Sequence, residues 1–406
     1  MPDRAPTRFH TLVLPAIIAQ SMIIGGGYAT GREVVEYAGR FGNRGWLSVV
    51  IITVCFAVVM ALSFELARLA GAYDYKTWSR NLVGPLWWLV DLLILSMMML
   101  VIAVMTAAIG EVLQQTVGLP KLLSLAIALV CVGFLSWRGS GFIEKAKTWG
   151  SAALYLGYCA FAVLVLTAPV EGVVEAATVA EAAAMATEAA RPVSEAATGA
   201  AATEGGVLEV IVAAVLYVAY NVAVVPAVLF CLHRQTRRSE TFSSGALAGV
   251  AMTVPFALTL ACLLRSPQAS VMEAEVPWLP LIGAAADGRA GGAALWIAIF
   301  GLVAGWTLIE TAVGSIHALL RRVESNLDDL PRRWRPASGS LTPVQKAGTA
   351  VGVLVAAAGL STFGIIDLVA RGYGTLAWGF IALVVVPLFV VVPWRAFRDN
   401  AAGAAR

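Results

Sequence analysis

Apolar residues along this chain gather into long blocks separated by short polar breaks, and the blocks are the length of membrane crossings. At about 20 residues per crossing, ten segments qualify: 11–38, 45–71, 85–117, 120–137, 141–168, 207–232, 242–265, 293–322, 343–363 and 372–394. The third and eighth exceed one bilayer thickness and are expected to tilt or project. The first is interrupted. Its apolar run from Leu12 to Ile24 stops at Gly25-Gly26-Gly27, and a charged, helix-compatible stretch resumes from Tyr28 to Tyr37. Three glycines in a row weaken a helix sharply, and open backbone inside a bilayer is tolerated only where it lines a cavity or binds something. The sixth segment has its own candidate interruption between Leu216 and Pro226, because proline removes a helical hydrogen bond and disfavours helix at the residue before it.

These two interruptions sit at matching places. Five spans precede an alanine- and glutamate-rich stretch, 169–206, and five follow it. The expected layout is a first five-helix repeat over 1–168, an extracytoplasmic loop over 169–206, a second repeat over 207–394 and a cytoplasmic tail over 395–406. Paired broken helices in two halves point to an inverted-repeat transporter with its site near mid-membrane. Outer segment 266–292, with Pro267, Pro277, Pro280 and Trp278, reads as a lid, and inner segment 323–341 as a connector.

Composition narrows the class. Of 406 residues, 59% are hydrophobic and 13% charged, about half the charge of a soluble domain. The fold class expected is an all-α integral membrane protein. Most of the 28 lysines and arginines fall on one side when the N-terminus is placed in the cytoplasm. These include Arg4, Arg8, Arg68, Lys76, Arg80, Arg138, Arg237, Arg322 and Arg395, so the positive-inside rule puts both termini in the cytoplasm of a bacterial inner membrane. Arg4 and Arg8 before the first apolar run resemble a signal peptide, but no small-residue cleavage site follows and the run reads as a retained span. A net charge of +3 gives no reason to expect nucleic acid. The five cysteines lie in apolar runs without metal-ligand spacing. The three histidines are scattered, no Gly-Lys-Ser/Thr follows the glycines, and no nucleophile elbow is present. No enzymatic centre and no resident cofactor or metal is expected, beyond sodium or a proton as coupling ion.

Ionisable groups inside spans are the next candidates, since they are costly there and usually functional. Glu310 lies midway along the eighth segment with Thr307 on its face and Thr311 beside it, and could carry a coupling proton or help hold a cation. Arg32, Glu33 and Glu36 follow the glycine break. Arg32 either pairs with Glu36 one turn on or closes an outer gate with Asp367 at the start of the tenth span. Glu65 and Arg68 read as a structural pair, Asp91 and Glu111 as vestibule or packing residues, and Lys145 and Lys147 as interfacial. Gly25, Gly26, Gly27, Tyr28, Tyr217, Tyr220, Asn221 and Trp306 are expected to wall a substrate pocket.

The stretch GGGYATGREVVEYAGRFG, residues 25–42, resembles the first-helix signature of the YkvI-type membrane proteins, a family related to the amino acid–polyamine–organocation superfamily. Two further echoes are of its neurotransmitter:sodium symporter branch: Gly141-Phe142-Ile143-Glu144-Lys145 opening the fifth span, and Ala304-Gly305-Trp306-Thr307 in the eighth. The resemblance implies the LeuT fold, two inverted five-helix repeats with helices 1 and 6 broken and substrate between them. It also implies an ion site of backbone carbonyls around Ile24 to Gly27 with side chains near Thr307, in the Ala304 to Thr307 run, opposite; Glu310 and Thr311 join it as ion-coupling candidates from their place on the same helix. Leu308 stands where that branch has a second hydroxyl, which leaves sodium and proton coupling both open. The Asp-Pro-Gly-Asn run of the iron and manganese transporters is missing. The function implied is alternating-access transport of a small amino acid or related zwitterion or amine. A ligand sensor on the same scaffold, and less so a channel, are the alternatives. The expected partners are a small-molecule substrate and the lipid bilayer.

Overall fold

The computed structural model describes residues 8–23, 26–138, 140–169, 206–266, 269–289, 291–327 and 341–404. These are mostly helical, without strand among the described residues. Seven helices among them are long and apolar enough to cross a membrane, and three shorter apolar helices, Phe9–Ile23, Lys121–Leu135 and Ala153–Leu166, fall on the first, fourth and fifth predicted spans. The chain is a multi-pass membrane protein.

The first span comes in pieces: α1 Leu14–Ile23, α2 Gly26–Thr30 and α3 Arg32–Tyr37. Ile24 and Gly25 lie outside the described residues. Gly26 and Gly27 begin a helical turn, so the opened backbone expected at all three glycines is not found at these two. The described break falls at Gly31, which has φ +78°. Side-chain-bearing residues rarely adopt that conformation, and a β-carbon there would lie 3.1 Å from the Trp278 ring. Gly31 therefore meets both a conformational and a steric demand for glycine.

Next come α4 Gly45–Ala70, α5 Tyr75–Val83, α6 Trp87–Val117, α7 Lys121–Arg138 and α8 Ser140–Leu166. Most of the predicted 169–206 loop lies outside the described residues, as does most of the 323–341 connector. The sixth span breaks as its sequence predicts. Helix α9, Val207–Asn221, gives way to 3₁₀ turns at Val222–Ala227 and Leu229–Arg234. Pro226 has no N–H to return to the Val222 carbonyl and its ring crowds that carbonyl, and α9 stops one residue before Val222. The remaining elements are α10 Arg238–Arg265, the short α11 Ala269–Met272 and α12 Trp278–Ala286, α13 Gly292–Asn326 and α14 Pro343–Ser361. A last rod follows, of α15 Gly364–Asp367, α16 Gly374–Phe380 and α17 Val386–Ala404 joined by π turns.

Two packing groups emerge. In the first, α4 and α10 form the most extensive helix pair among the described residues, with α9 laid on α4 and α1 on α10. Small residues make this approach possible, as they do generally where lipid offers no hydrophobic drive between helices. Gly245 lies against Ala61 and Gly249 against Ala57, so close that a β-carbon on either would come within 2.4 Å of the α4 backbone. The second group is α6 with α7, α13 and α14. Asp91 of α6 holds it at one end, accepting from Arg322 at 2.5 Å and from Asn326, both on α13. Both charged side chains of that pair are largely buried, so removing Asp91 would leave Arg322 buried without its carboxylate.

Helix α5 is capped by Asp74, which accepts from the Thr77 amide at 2.9 Å. Partial burial pushes the Asp74 pKa up, but hydrogen bonds from Thr77 and the neighbouring amides outweigh it, and the net shift is down. A depressed carboxylate contributes stability above its unfolded pKa and loses it as the pH falls through the folded value. Asp74→Ala is expected to destabilise by about 1 kcal/mol at neutral pH, with wild type and variant converging in acid. Thermal unfolding across pH checks this, and a constant gap down to low pH would rule out the ionised cap.

Candidate functional site

The interrupted first span places Tyr28, Arg32, Glu33 and Tyr37 in the protein interior. A continuous helix would bond the Arg32 amide to the Tyr28 carbonyl. The turn at Gly31 prevents this. The Arg32 amide bonds instead to the Thr30 hydroxyl at 3.3 Å, and the Tyr28 carbonyl accepts the Trp278 indole N–H at 3.2 Å. The break thus frees a carbonyl in the core, and a side chain from the segment predicted as a lid occupies it. Trp278 is 1% exposed.

The Tyr28 hydroxyl lies 2.7 Å from that of Tyr217 on α9 and 3.2 Å from the Met252 carbonyl on α10. Asn221 donates back to the Tyr217 carbonyl at 2.8 Å, which satisfies α9 where it ends. Tyr217 is ringed by aromatics, with Phe256 at 4.8 Å, Tyr37 at 5.4 Å and Tyr220 at 5.5 Å between centroids. Beyond Tyr220, Tyr373 of the tenth span lies at 5.0 Å. The Tyr220 hydroxyl donates to Glu33 at 2.8 Å. So the two interrupted spans meet through tyrosine hydroxyls and one buried carboxylate.

A small void of about 10 Å³ opens beside Tyr28 and Ala29, walled by Tyr158, Phe161, Trp278 and Ala304, which is room for about one water. It sits where the two packing groups meet, since Ala304 belongs to α13 and Tyr28 is bonded to α9 and α10.

The predicted site residues divide accordingly. Tyr28, Tyr217, Tyr220 and Asn221 come together at the junction, and Ala304 faces the void. Gly26 and Gly27 begin α2 next to it, while Gly25 and Ile24 are outside the described residues. Thr307 is buried, but its hydroxyl donates to the Val303 carbonyl, and that of Thr311 to the Thr307 carbonyl. Each hydroxyl is thus turned onto its own helix. Trp306 and Glu310 are only partly buried and neither walls the void.

The Arg32–Asp367 gate is not formed in this structure. Arg32 donates to the Met272 carbonyl at 2.5 Å and the Ala274 carbonyl at 3.4 Å, and pairs with Glu36 at 3.5 Å. Asp367 pairs with Arg371 one turn along its own rod. A neighbour one turn away is reached at little entropic cost, and carbonyls at the end of α11 supply Arg32 with acceptors. Arg32 is thus tied to the segment between α11 and α12 rather than to Asp367. Glu275 of the lid pairs with Lys121 at 3.5 Å. Burial pushes the Glu275 carboxyl above the usual range, against the pull of Lys121.

Sequence reasoning set Glu33 aside among three charges after the break and missed Tyr37, Tyr158, Met252, Phe256 and Tyr373. Glu33 had a signal: an acid inside a span. The others are apolar-tolerant residues in apolar helices, and nothing local marks them.

No family model matches the chain, and no curated protein matches it. Among solved structures it is similar to a Na⁺-coupled sialic acid symporter in a substrate-bound outward-open state. Identity is 14% and the TM-score 0.44, over 94% of this chain and 86% of that one. It is also similar to a variant of the manganese transporter of Eremococcus coleocola, at 12% identity and a TM-score of 0.34 over 94% of both chains. The same transporter in complex with an aromatic bis-isothiourea substituted compound gives 14% identity and a TM-score of 0.33, over 94% of this chain and 95% of that one.

Proposed function

We propose that this chain is a secondary transporter working by alternating access on a small amino acid or related zwitterion or amine, coupled to sodium or protons. The observation that supports this most is the meeting of two interrupted spans at a shared polar core, with Trp278 closing one end. Broken helices are retained in a bilayer where their freed backbone groups serve a site. Here one freed carbonyl, that of Tyr28, is covered by Trp278 at the start of α12, which would act as the lid of such a site.

On this reading the ten apolar segments form two inverted five-helix repeats in the inner membrane, with both termini cytoplasmic. The substrate carboxylate would face the start of α2, and Tyr28, Tyr217 and Asn221 would line its pocket. The void beside Tyr28 is too small for an amino acid, so entry requires the α4–α10 group and the α6–α13 group to separate. The closed form then has the lid down. An ion that favours one arrangement supplies the driving force by differential binding.

The test is a thermal-shift screen of the purified protein against amino acids and small amines, with and without sodium and at two pH values, followed by uptake of each hit into sealed vesicles. Ligands that bind the folded state raise its melting temperature by mass action. The expected result is a hit that accumulates in vesicles under an ion gradient. Binding without any accumulation or exchange would replace the transporter by a sensor, and flux that never saturates would replace it by a channel.

A further inference from the structure

Glu33 is the buried carboxylate of the tyrosine core. It is 8% exposed and sits on α3, one residue past Arg32 and two past the left-handed turn at Gly31. The Tyr220 hydroxyl donates to it at 2.8 Å. Among the described residues no lysine, arginine or histidine forms an ion pair with it, whereas Glu36 on the same half-helix is held by Arg32 at 3.5 Å and Arg40 at 2.8 Å. A buried acid without a basic partner is costly in a bilayer, and chains that retain one generally use it.

We propose that Glu33 takes up and releases the coupling proton of transport, a role that rests on the transporter reading above. The carboxylate binds one proton from water on one side of the membrane and returns it on the other, with no other bond made or broken. Its surroundings favour a proton over a metal ion. Hard cations are commonly held by about six oxygens. Of the tyrosine hydroxyls around Glu33, Tyr37 donates to the Val369 carbonyl at 3.4 Å, and Tyr28 and Tyr217 bond to each other at 2.7 Å, which leaves those of Tyr220 and Tyr373, fewer oxygens than such a site needs. No group of three acidic, histidine or cysteine side chains that could hold a metal is present among the described residues.

Position explains how a proton here would be felt at the site. Ionised Glu33 draws the Tyr220 hydroxyl and ties α3 to α9. Neutral Glu33 is a weaker acceptor and can itself donate, so protonation loosens or redirects that tie. Tyr220 packs on Tyr217 at 5.5 Å, and Tyr217 bonds the Tyr28 hydroxyl beside the void. Gly31 supplies a point about which α3 can turn. The other titratable groups facing Glu33 are Tyr37 on its own half-helix, Tyr28 before the break, Tyr217 and Tyr220 on α9 and Tyr373 on the rod. Phenols ordinarily titrate near 10, above the range in which a coupling proton exchanges. On α10, also packed against α3, the buried thiol Cys262 lies toward Tyr158.

The experiment has a ligand-free arm and a transport arm. Infrared difference spectra of the full-length protein in lipid are recorded across pH, following the C=O stretch of a protonated carboxyl. Glu33→Gln should remove one such band, and Tyr220→Phe, which keeps the ring and deletes the hydrogen bond, should move the pH at which it appears. For transport, radiolabelled amino acids are supplied singly to proteoliposomes under an imposed pH gradient. Glutamine imitates the protonated acid, so Glu33→Gln should lower gradient-driven accumulation by about tenfold, a usual size for a coupling between sites. Exchange of labelled for unlabelled substrate, which needs no deprotonation, should persist. Tyr220→Phe covers the case in which Glu33→Gln does not fold: its accumulation profile should shift in pH along with its band. Unchanged bands in both variants, or equal gradient-driven accumulation in Glu33→Gln and wild type, overturns the role of Glu33 while the transporter stands. A wild type that neither accumulates nor exchanges any substrate overturns both.

Discussion

Gly249→Leu is expected to abolish folding, because the obstacle it meets is backbone. A β-carbon at 249 would lie 2.4 Å from the Ala57 amide nitrogen, and one at 245 equally close to the Ala61 backbone. No rotamer change on α4 can clear that space, so α4 and α10 would have to separate along the most extensive helix contact among the described residues. Even Gly249→Ala should cost about 3 kcal/mol, the upper range for overpacking. Adding Ala57→Gly should not restore it, since the nearest atoms belong to the peptide and not to the Ala57 methyl. Fluorescence-detected size exclusion and thermal melting of the solubilised protein measure both claims. A Gly249→Ala variant melting with wild type, or a rescue by Ala57→Gly, would show that the two helices are not in this contact.

Trp278→Ala carries the second large effect, on stability and on access together. The indole is 1% exposed, packs edge-on to Tyr158 at 5.4 Å and donates to the Tyr28 carbonyl. Losing the ring leaves a cavity, at a cost of about 4 kcal/mol for a buried tryptophan. It also leaves a carbonyl unpaired at the break. Trp278→Phe keeps a six-membered ring but loses the rest of the indole together with its N–H, so its cost should be smaller, about 2 kcal/mol. The same pair separates lid from filler. With Ala29→Cys as the sole cysteine, a membrane-impermeant thiol reagent added outside should label the Trp278→Ala protein much faster than wild type, and the Trp278→Phe protein only slightly faster. Equal labelling of all three would leave Trp278 a packing residue and remove the lid from the mechanism.

The way Arg32 is used shows why pairings are harder to read than elements. Its one-turn neighbour Glu36 was legible, because helical spacing fixes it. Its other partners, the carbonyls of Met272 and Ala274, are more than 200 residues away and carry no side-chain signature. A distant gate with Asp367 satisfied charge complementarity equally well on paper. Glu33 shows the reverse. An acid in a span is a visible anomaly, but its weight depended on whether an arginine or a tyrosine would meet it, and α9 and the tenth span supplied tyrosines.

By itself the sequence determined that the chain is helical and carries several segments long and apolar enough to cross a bilayer, because apolar length and backbone satisfaction leave few alternatives. It also determined that the first and sixth spans are interrupted, since the local covalent facts of glycine and proline act without neighbours. Only the tertiary structure decided which residue turns the first span, Gly31 rather than the glycines described before it, because that choice depends on the Trp278 ring leaving no space for a side chain. The same holds for the core. Tyr28, Tyr217, Glu33 and Tyr220 meet because α3 and α9 pack together, and long-range packing of near-uniform apolar helices is set by shape and by small residues such as Gly245 and Gly249. Hydropathy records that these faces are apolar and does not record which of them fit.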